Sequence, residues 1–155
     1  MAIHYLQGDA TYPIGDGPKV IVHVCNDIGA WGAGFVVALS KRWSQPEAQY
    51  RAWKRSKMNF QLGYVQPVRV EEDVVVLNMI GQHGIRSIAN LIPLRYDALR
   101  TCLEKVAKYC KNQNASIHMP RIGCGLAGGR WEKVEEIINE TLLAEGLEVY
   151  VYDFE

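Results

Sequence analysis

Two glycine-rich segments, each set between an apolar strand-like run and an amphipathic helix, constrain this chain more than any other feature. The first, His23 to Phe35, reads HVCNDIGAWGAGF, and the second, Pro120 to Trp131, reads PRIGCGLAGGRW. Glycine admits positive φ and lets the main chain approach a ligand closely, while the first N–H groups of a helix lack intrahelical acceptors. Such turns suit phosphate. Either segment alone reads first as a tight turn serving helix–strand packing. Two of them in one small chain point to a diphosphate held from both sides.

The 155 residues fit one domain, 1–155, able to withdraw roughly 68–70% of its unfolded surface from water. Seventeen basic and seventeen acidic side chains cancel, so there is no global positive field of the kind that drives general nucleic-acid binding. Lys54, Arg55 and Lys57 read as a solvated helix face. The four cysteines form no CxxC pair, and no signal peptide or long apolar run opens the chain. These features predict a reduced, cytoplasmic protein that does not engage membranes. Cys102 and Cys110 fall on or beside an apolar helical stripe. Cys25 and Cys124 lie in the glycine segments, where a buried small residue and a reactive thiolate are both conceivable and no positioned base favours the thiolate.

Periodicity predicts strands at Ile3 to Gln7 and Val20 to Cys25, then helices at Phe35 to Trp43 and Gln45 to Lys54, with Pro46 suited to a first turn. Strands at Gly63 to Val70 and Val74 to Ile80 are separated only by Glu71-Glu72-Asp73, which implies a hairpin and so a mixed sheet. An irregular stretch, Gly81 to Leu94, is a candidate active-site loop. A long helix from Tyr96 to Lys111, a strand from Ser116 to Ile122, a last helix ended by Gly146 and a strand from Glu148 to Tyr152 complete the order. The predicted class is α/β, with helices on both faces of a mixed sheet.

Gly123, Gly125 and Gly128 satisfy GxGxxG after a strand and before a helix, and Asp153 follows the next strand, as in a dinucleotide-binding unit. That unit normally opens a longer doubly wound domain, and here no second nucleotide half follows. The first segment, with Gly29, Gly32 and Gly34 spaced GxxGxG, departs from the fingerprint as well. Taken together, QGDAT near the start, HVCNDIGAWGAGF, Arg95 to Leu99 and MPRIGCGLAGGRW resemble, in order from Ile3 to Tyr152, a macrodomain, the ADP-ribose-binding module. The resemblance runs closest to the branch holding terminal ADP-ribose glycohydrolases, chromatin-remodeller macrodomains and fungal ADP-ribose 1''-phosphate phosphatases.

The resemblance implies a three-layer α/β/α fold, a monomer, and ADP-ribose or an ADP-ribosylated macromolecule as partner, with no cofactor and no metal. It places Asp9 on the adenine amino group with Gly8 and Ala10 beside the base; as a bare residue Asp9 reads as the cap of the turn before Thr11. It places Gly32, Ala33, Gly34 and Phe35 across the diphosphate from Ile122, Gly123, Cys124, Gly125, Leu126 and Ala127. Asn26 and Asp27 fall at the distal ribose, where both can accept a hydroxyl proton. Tyr152 and Phe154 would flank the adenine. Trp31 is a lid or a core anchor.

The glycohydrolase branch uses a lysine near the strand end before the irregular loop and an aspartate directly after GCGL. Here those places read Asn78-Met79-Ile80-Gly81-Gln82-His83 and Ala127, so the lysine-adduct chemistry finds no residue to carry it. An alternative hydrolysis has a water beside the ligand's phosphate attack the anomeric carbon, with Asp27 first, or His83, orienting it or taking its proton. A nearby carboxylate also stabilises an oxocarbenium-like transition state. His23 and His118, inside apolar strands, are expected to make core hydrogen bonds. Three functions remain open: a mono-ADP-ribosyl hydrolase first, a non-catalytic reader second, and an ADP-ribose 1''-phosphate phosphatase third.

Overall fold

The computed structural model describes residues 2–154. Six strands, β1 (His4–Gln7), β2 (Lys19–Asn26), β3 (Val65–Glu71), β4 (Val74–Gln82), β5 (Ser116–Met119) and β6 (Val149–Asp153), form one sheet in the order β1-β6-β5-β2-β4-β3. Every neighbouring pair is parallel except β3 and β4, which form the antiparallel hairpin that the short Glu71 to Asp73 connection requires. The four helices are α1 (Phe35–Arg42), α2 (Gln45–Ser56), α3 (Tyr96–Gln113) and α4 (Trp131–Thr141).

The alternation of side chains along a strand divides the core in two. Val20 and Val22 of β2 and Val75, Leu77 and Met79 of β4 pack on one face with the α3 and α4 stripes, including Cys102, Leu103, Val106, Cys110, Val134 and Ile138. Ile21 and Cys25, with Val74 and Val76, face the other way onto Leu39 of α1 and Tyr50 of α2. Strands β2 and β4 are covered on both faces, which explains their nearly continuous apolar runs. This is the three-layer α/β/α architecture expected.

Most element boundaries differ from the sequence reading by a few residues, and four of the differences have a physical reason. Strand β5 ends at Met119 rather than Ile122, because Pro120 has no N–H to continue a ladder. Strand β4 runs on through Gly81 and Gln82, and Gln82 bridges Leu94, so both ends of the irregular stretch are tied to the sheet. Strand β3 starts at Val65 because Gly63, at φ 91, turns the chain. Helix α4 stops at Thr141, and a 3-10 turn, Leu143–Glu145, intervenes before Gly146 at φ 76.

Candidate ligand-binding cleft

The parallel strands deliver their carboxyl ends to one rim, where crossover connections leave a crevice. Three adjoining hollows form a continuous cleft along it. The first, about 550 Å3, is lined by Gly8, Asp9, Ala10, Gly34, Phe35, Lys41, Arg42, Tyr152 and Phe154, among others. The second, about 250 Å3, shares Gly34, Phe35 and Pro120 with it and adds Arg121, Ile122, Gly123, Gly125, Leu126 and Ala127. The third, about 330 Å3, shares Ala33, Gln82 and Leu126 with the second and ends at Asn26, Gly32, Ile85 and Arg86.

Residues of both glycine turns line the middle hollow. Gly34 precedes α1 with φ 82, and no side chain caps that helix. Among the described residues, the N–H groups of Gly32, Ala33 and Gly34 and of Gly123, Gly125, Leu126 and Ala127 make no hydrogen bond. Free amides of both turns therefore belong to residues that line one cleft. Gly125 has open space where a Cβ would stand, whereas a Cβ on Gly129 would lie 2.5 Å from the Gly123 carbonyl oxygen. The second turn closes on itself through Gly129 N–H to Gly123 O at 2.7 Å, and Leu94 N–H donates to Ala127 O at 3.0 Å.

Asp9 serves the turn it opens. Its Oδ1 accepts both the N–H and the hydroxyl of Thr11, each at 2.8 Å, and Oδ2 accepts nothing among the described residues. Arg42 braces the same turn, donating from Nε to Thr11 O at 3.1 Å with its guanidinium 3.9 Å from the centre of the Tyr12 ring. Tyr152 is buried against Gly8, and its hydroxyl joins Ile14 N–H and His118 Nδ1, while Phe154 is exposed. Burial, reinforced by the positive charge of Lys19, lowers the His118 pKa to about 4. His23, facing Asn78 Oδ1 at 2.6 Å, is lowered to about 4 by burial against the opposing effect of that hydrogen bond.

Asn26 is occupied in building the first turn. Its Oδ1 accepts Ile28 and Ala30 N–H, its Nδ2 donates to Ala30 O, and the Tyr50 hydroxyl sits 2.6 Å from its main-chain oxygen and 2.9 Å from Oδ1. Asp27 is equally engaged: Oδ2 meets His83 Nδ1 at 2.7 Å and Oδ1 accepts Gly84 N–H at 2.8 Å. The structure thus brings Asp27 and His83 together, as a latch between the first turn and the irregular loop, while the hollow itself is lined by their neighbours Asn26, Gln82, Ile85 and Arg86. Trp31 is a core anchor, 8% exposed and donating from Nε1 to Ser40. Burial pushes the Cys25 thiol well up and the Cys124 thiol up, which argues against a thiolate at either place.

Sequence reasoning missed the roles of Tyr50 and Arg121. Tyr50 sits on the buried side of α2 next to Pro46, a signal for core and not for loop support. Arg121 makes a two-point bridge to Asp153, at 2.6 and 3.0 Å. The acidic residue that a dinucleotide fold would spend on a ribose is thereby spent on the second turn.

No protein-family model matches the chain. A macrodomain protein of Streptomyces coelicolor superposes with a TM-score of 0.88 at 52% identity, over 97% of this chain and 98% of that one. ADP-ribose glycohydrolase OARD1 of Bos taurus is 30% identical over 97% of this chain and 90% of its own length. The chain belongs to the macrodomain family. Chromodomain-helicase-DNA-binding protein 1-like of Mus musculus is also similar, 32% identical over 99% of this chain. This macrodomain spans only 18% of that relative's length. Among the described residues no cluster of potential metal ligands occurs, and no helix is long and apolar enough to cross a membrane.

Proposed function

We propose that this macrodomain binds ADP-ribose along the cleft. Adenine occupies the hollow between Asp9 and Tyr152, with Gly8, Ala10 and Phe154 beside it. The diphosphate lies between Gly32, Ala33, Gly34 and Phe35 on one wall and Ile122 to Ala127 on the other. The distal ribose reaches the end formed by Asn26, Gln82 and Arg86. One observation carries this reading: unbonded amides from two glycine turns border the same narrow hollow, the arrangement that stabilises a pair of phosphates without a metal. Asp9 Oδ2 supplies the acceptor that an exocyclic amino group needs.

The reading extends to hydrolysis of the bond between ADP-ribose and an acceptor. With Nδ1 facing Asp27 at 2.7 Å, His83 can present Nε2 as a base for water while Asp27 orients the ring. A specific observation favours the reader as second reading: neither an aspartate nor a glutamate lines the middle or the far hollow. Calorimetry with ADP-ribose, ADP and NAD tests binding, with ADP-ribose expected tightest; preference for NAD overturns the reading. Incubation with ADP-ribosylated protein and, separately, ADP-ribose 1''-phosphate tests chemistry. Release of ADP-ribose supports the hydrolase and release of phosphate supports a phosphatase. Binding without either leaves the reader.

A further inference from the structure

The irregular loop carries an aliphatic surface that extends beyond the cleft. Ile85, Ile88, Leu91 and Ile92 are 53%, 98%, 60% and 52% exposed, and Leu126 of the second turn is 57% exposed. Isolated exposed aliphatics are ordinary, but clustered ones beside a site mark a contact surface. These are joined through the fold. Ile85 and Leu126 line the far hollow together, and the Leu91-Ile92 main chain abuts Gly128, where a Cβ would stand 2.9 Å from Leu91 O.

The loop is also well held. Asp27 receives Gly84 N–H and His83, Asn90 donates to the carbonyls of His83 and Ile85, and Arg95 donates to the carbonyls of Ile92, Pro93 and Leu94. Ser87 and Asn90 bridge each other. Its exposed side chains are therefore displayed on a fixed frame.

We propose that this collar is a docking surface for a segment of the polypeptide to which ADP-ribose is attached. The inference rests on ADP-ribose occupying the cleft with its distal ribose at the far hollow. A group linked to that ribose must leave across Ile85 and Leu126, and the aliphatic surface continues outward from there. Free ADP-ribose has no atoms to cover it. Arg86, which lines the same hollow and has no ionic partner among the described residues, adds one positive charge, so the preferred segment is acidic with apolar side chains. A single cation among aliphatics is a poor match for a nucleic-acid backbone, which calls for several cations and stacking rings.

The test compares three probes by calorimetry: free ADP-ribose, an acidic peptide with apolar side chains bearing ADP-ribose through a non-hydrolysable bond, and a DNA oligonucleotide bearing it likewise. Wild-type protein is expected to bind the peptide conjugate about tenfold more tightly than free ADP-ribose, a modest increment for burying a few aliphatic side chains. The double variant Ile88→Ser, Leu91→Ser, at exposed positions that line no part of the cleft, should lose that advantage while keeping wild-type affinity for free ADP-ribose. Equal affinity for peptide conjugate and free ADP-ribose, or tighter binding of the DNA conjugate, overturns the proposal while leaving the cleft assignment intact. Failure of wild-type protein to bind free ADP-ribose overturns the cleft assignment and this inference with it.

Discussion

Thr11 takes only one oxygen of Asp9. Both donors of the threonine, main-chain and hydroxyl, converge on Oδ1, and Oδ2 is left over at the wall of the first hollow. One carboxylate can therefore fold the turn and read a base, because the two tasks fall on different atoms.

Asp9→Asn separates the two tasks. The amide keeps an oxygen for Thr11 but puts an NH2 where the acceptor stood, so the melting temperature should hold while ADP-ribose affinity falls by roughly 1.5–3 kcal/mol. Asp9→Ala should lose both. Thermal melts beside calorimetry check this, and unchanged affinity in Asp9→Asn would remove Asp9 from the binding site.

Two glycines of the second turn should respond in opposite ways. Gly125→Glu enters open space at a φ outside the left-handed region, so the protein should fold and fail to bind ADP-ribose, excluded by bulk and by like charge. Gly129→Ala meets a carbonyl oxygen at 2.5 Å and should cost about 1–3 kcal/mol of stability. Urea melts of both variants decide between these outcomes.

Acid should weaken the fold through two histidines. His23 and His118, both at about 4 in the native state, titrate near 6.5 when unfolded, so between those values only the unfolded chain takes up their protons. Stability is fully present above about pH 6.5 and falls as pH drops toward 4, by up to about 3 kcal/mol for each histidine. A urea midpoint that stays flat between pH 7 and pH 5 would refute this. Because His118 holds the Tyr152 hydroxyl at 2.7 Å, His118→Asn should reduce the slope and also weaken ADP-ribose binding.

Tyr50→Phe should loosen the first turn from behind. Removing the hydroxyl leaves the buried acceptors of Asn26 short of a donor, at about 1–3 kcal/mol, and the disturbance reaches the unbonded amides of Gly32 to Gly34. A lower melting temperature with weaker ADP-ribose binding is expected. Normal binding in a well-folded variant would show that the turn holds its shape without this support.

If the Asp27 and His83 pair performs proton transfer, Asp27→Ala should slow single-turnover release of ADP-ribose by about 10²-fold while affinity for the free ligand changes little. Parallel loss of rate and affinity would make the pair a latch for the loop and no more.

The order of elements was legible because it is written locally: alternation marks the strands, the Leu99, Leu103 and Val106 stripe marks α3, and the three residues between β3 and β4 force an antiparallel pair. The glycine turns were legible for the same reason. What escaped the sequence were partnerships between distant positions. Asp27 and His83 are 56 residues apart and Arg121 and Asp153 are 32 apart, and nothing near any of them in the chain names its partner. Asn26 was expected to face the ribose; its side chain turns out to be consumed by four hydrogen bonds with Ile28, Ala30 and Tyr50, a role visible only once the turn is folded.

The second turn owes its shape to main chain touching main chain, at the Gly129 to Gly123 bond and at the seat of Gly128 on Leu91. The Leu126 side chain carries none of that shape and is exposed. Positions 123, 128 and 129 are thereby frozen, whereas the side chains at 88, 91 and 126 are open to substitution without disturbing the amides. Descendants of one ancestral chain could change the acceptor they serve by altering the second set alone, and keep the same nucleotide throughout.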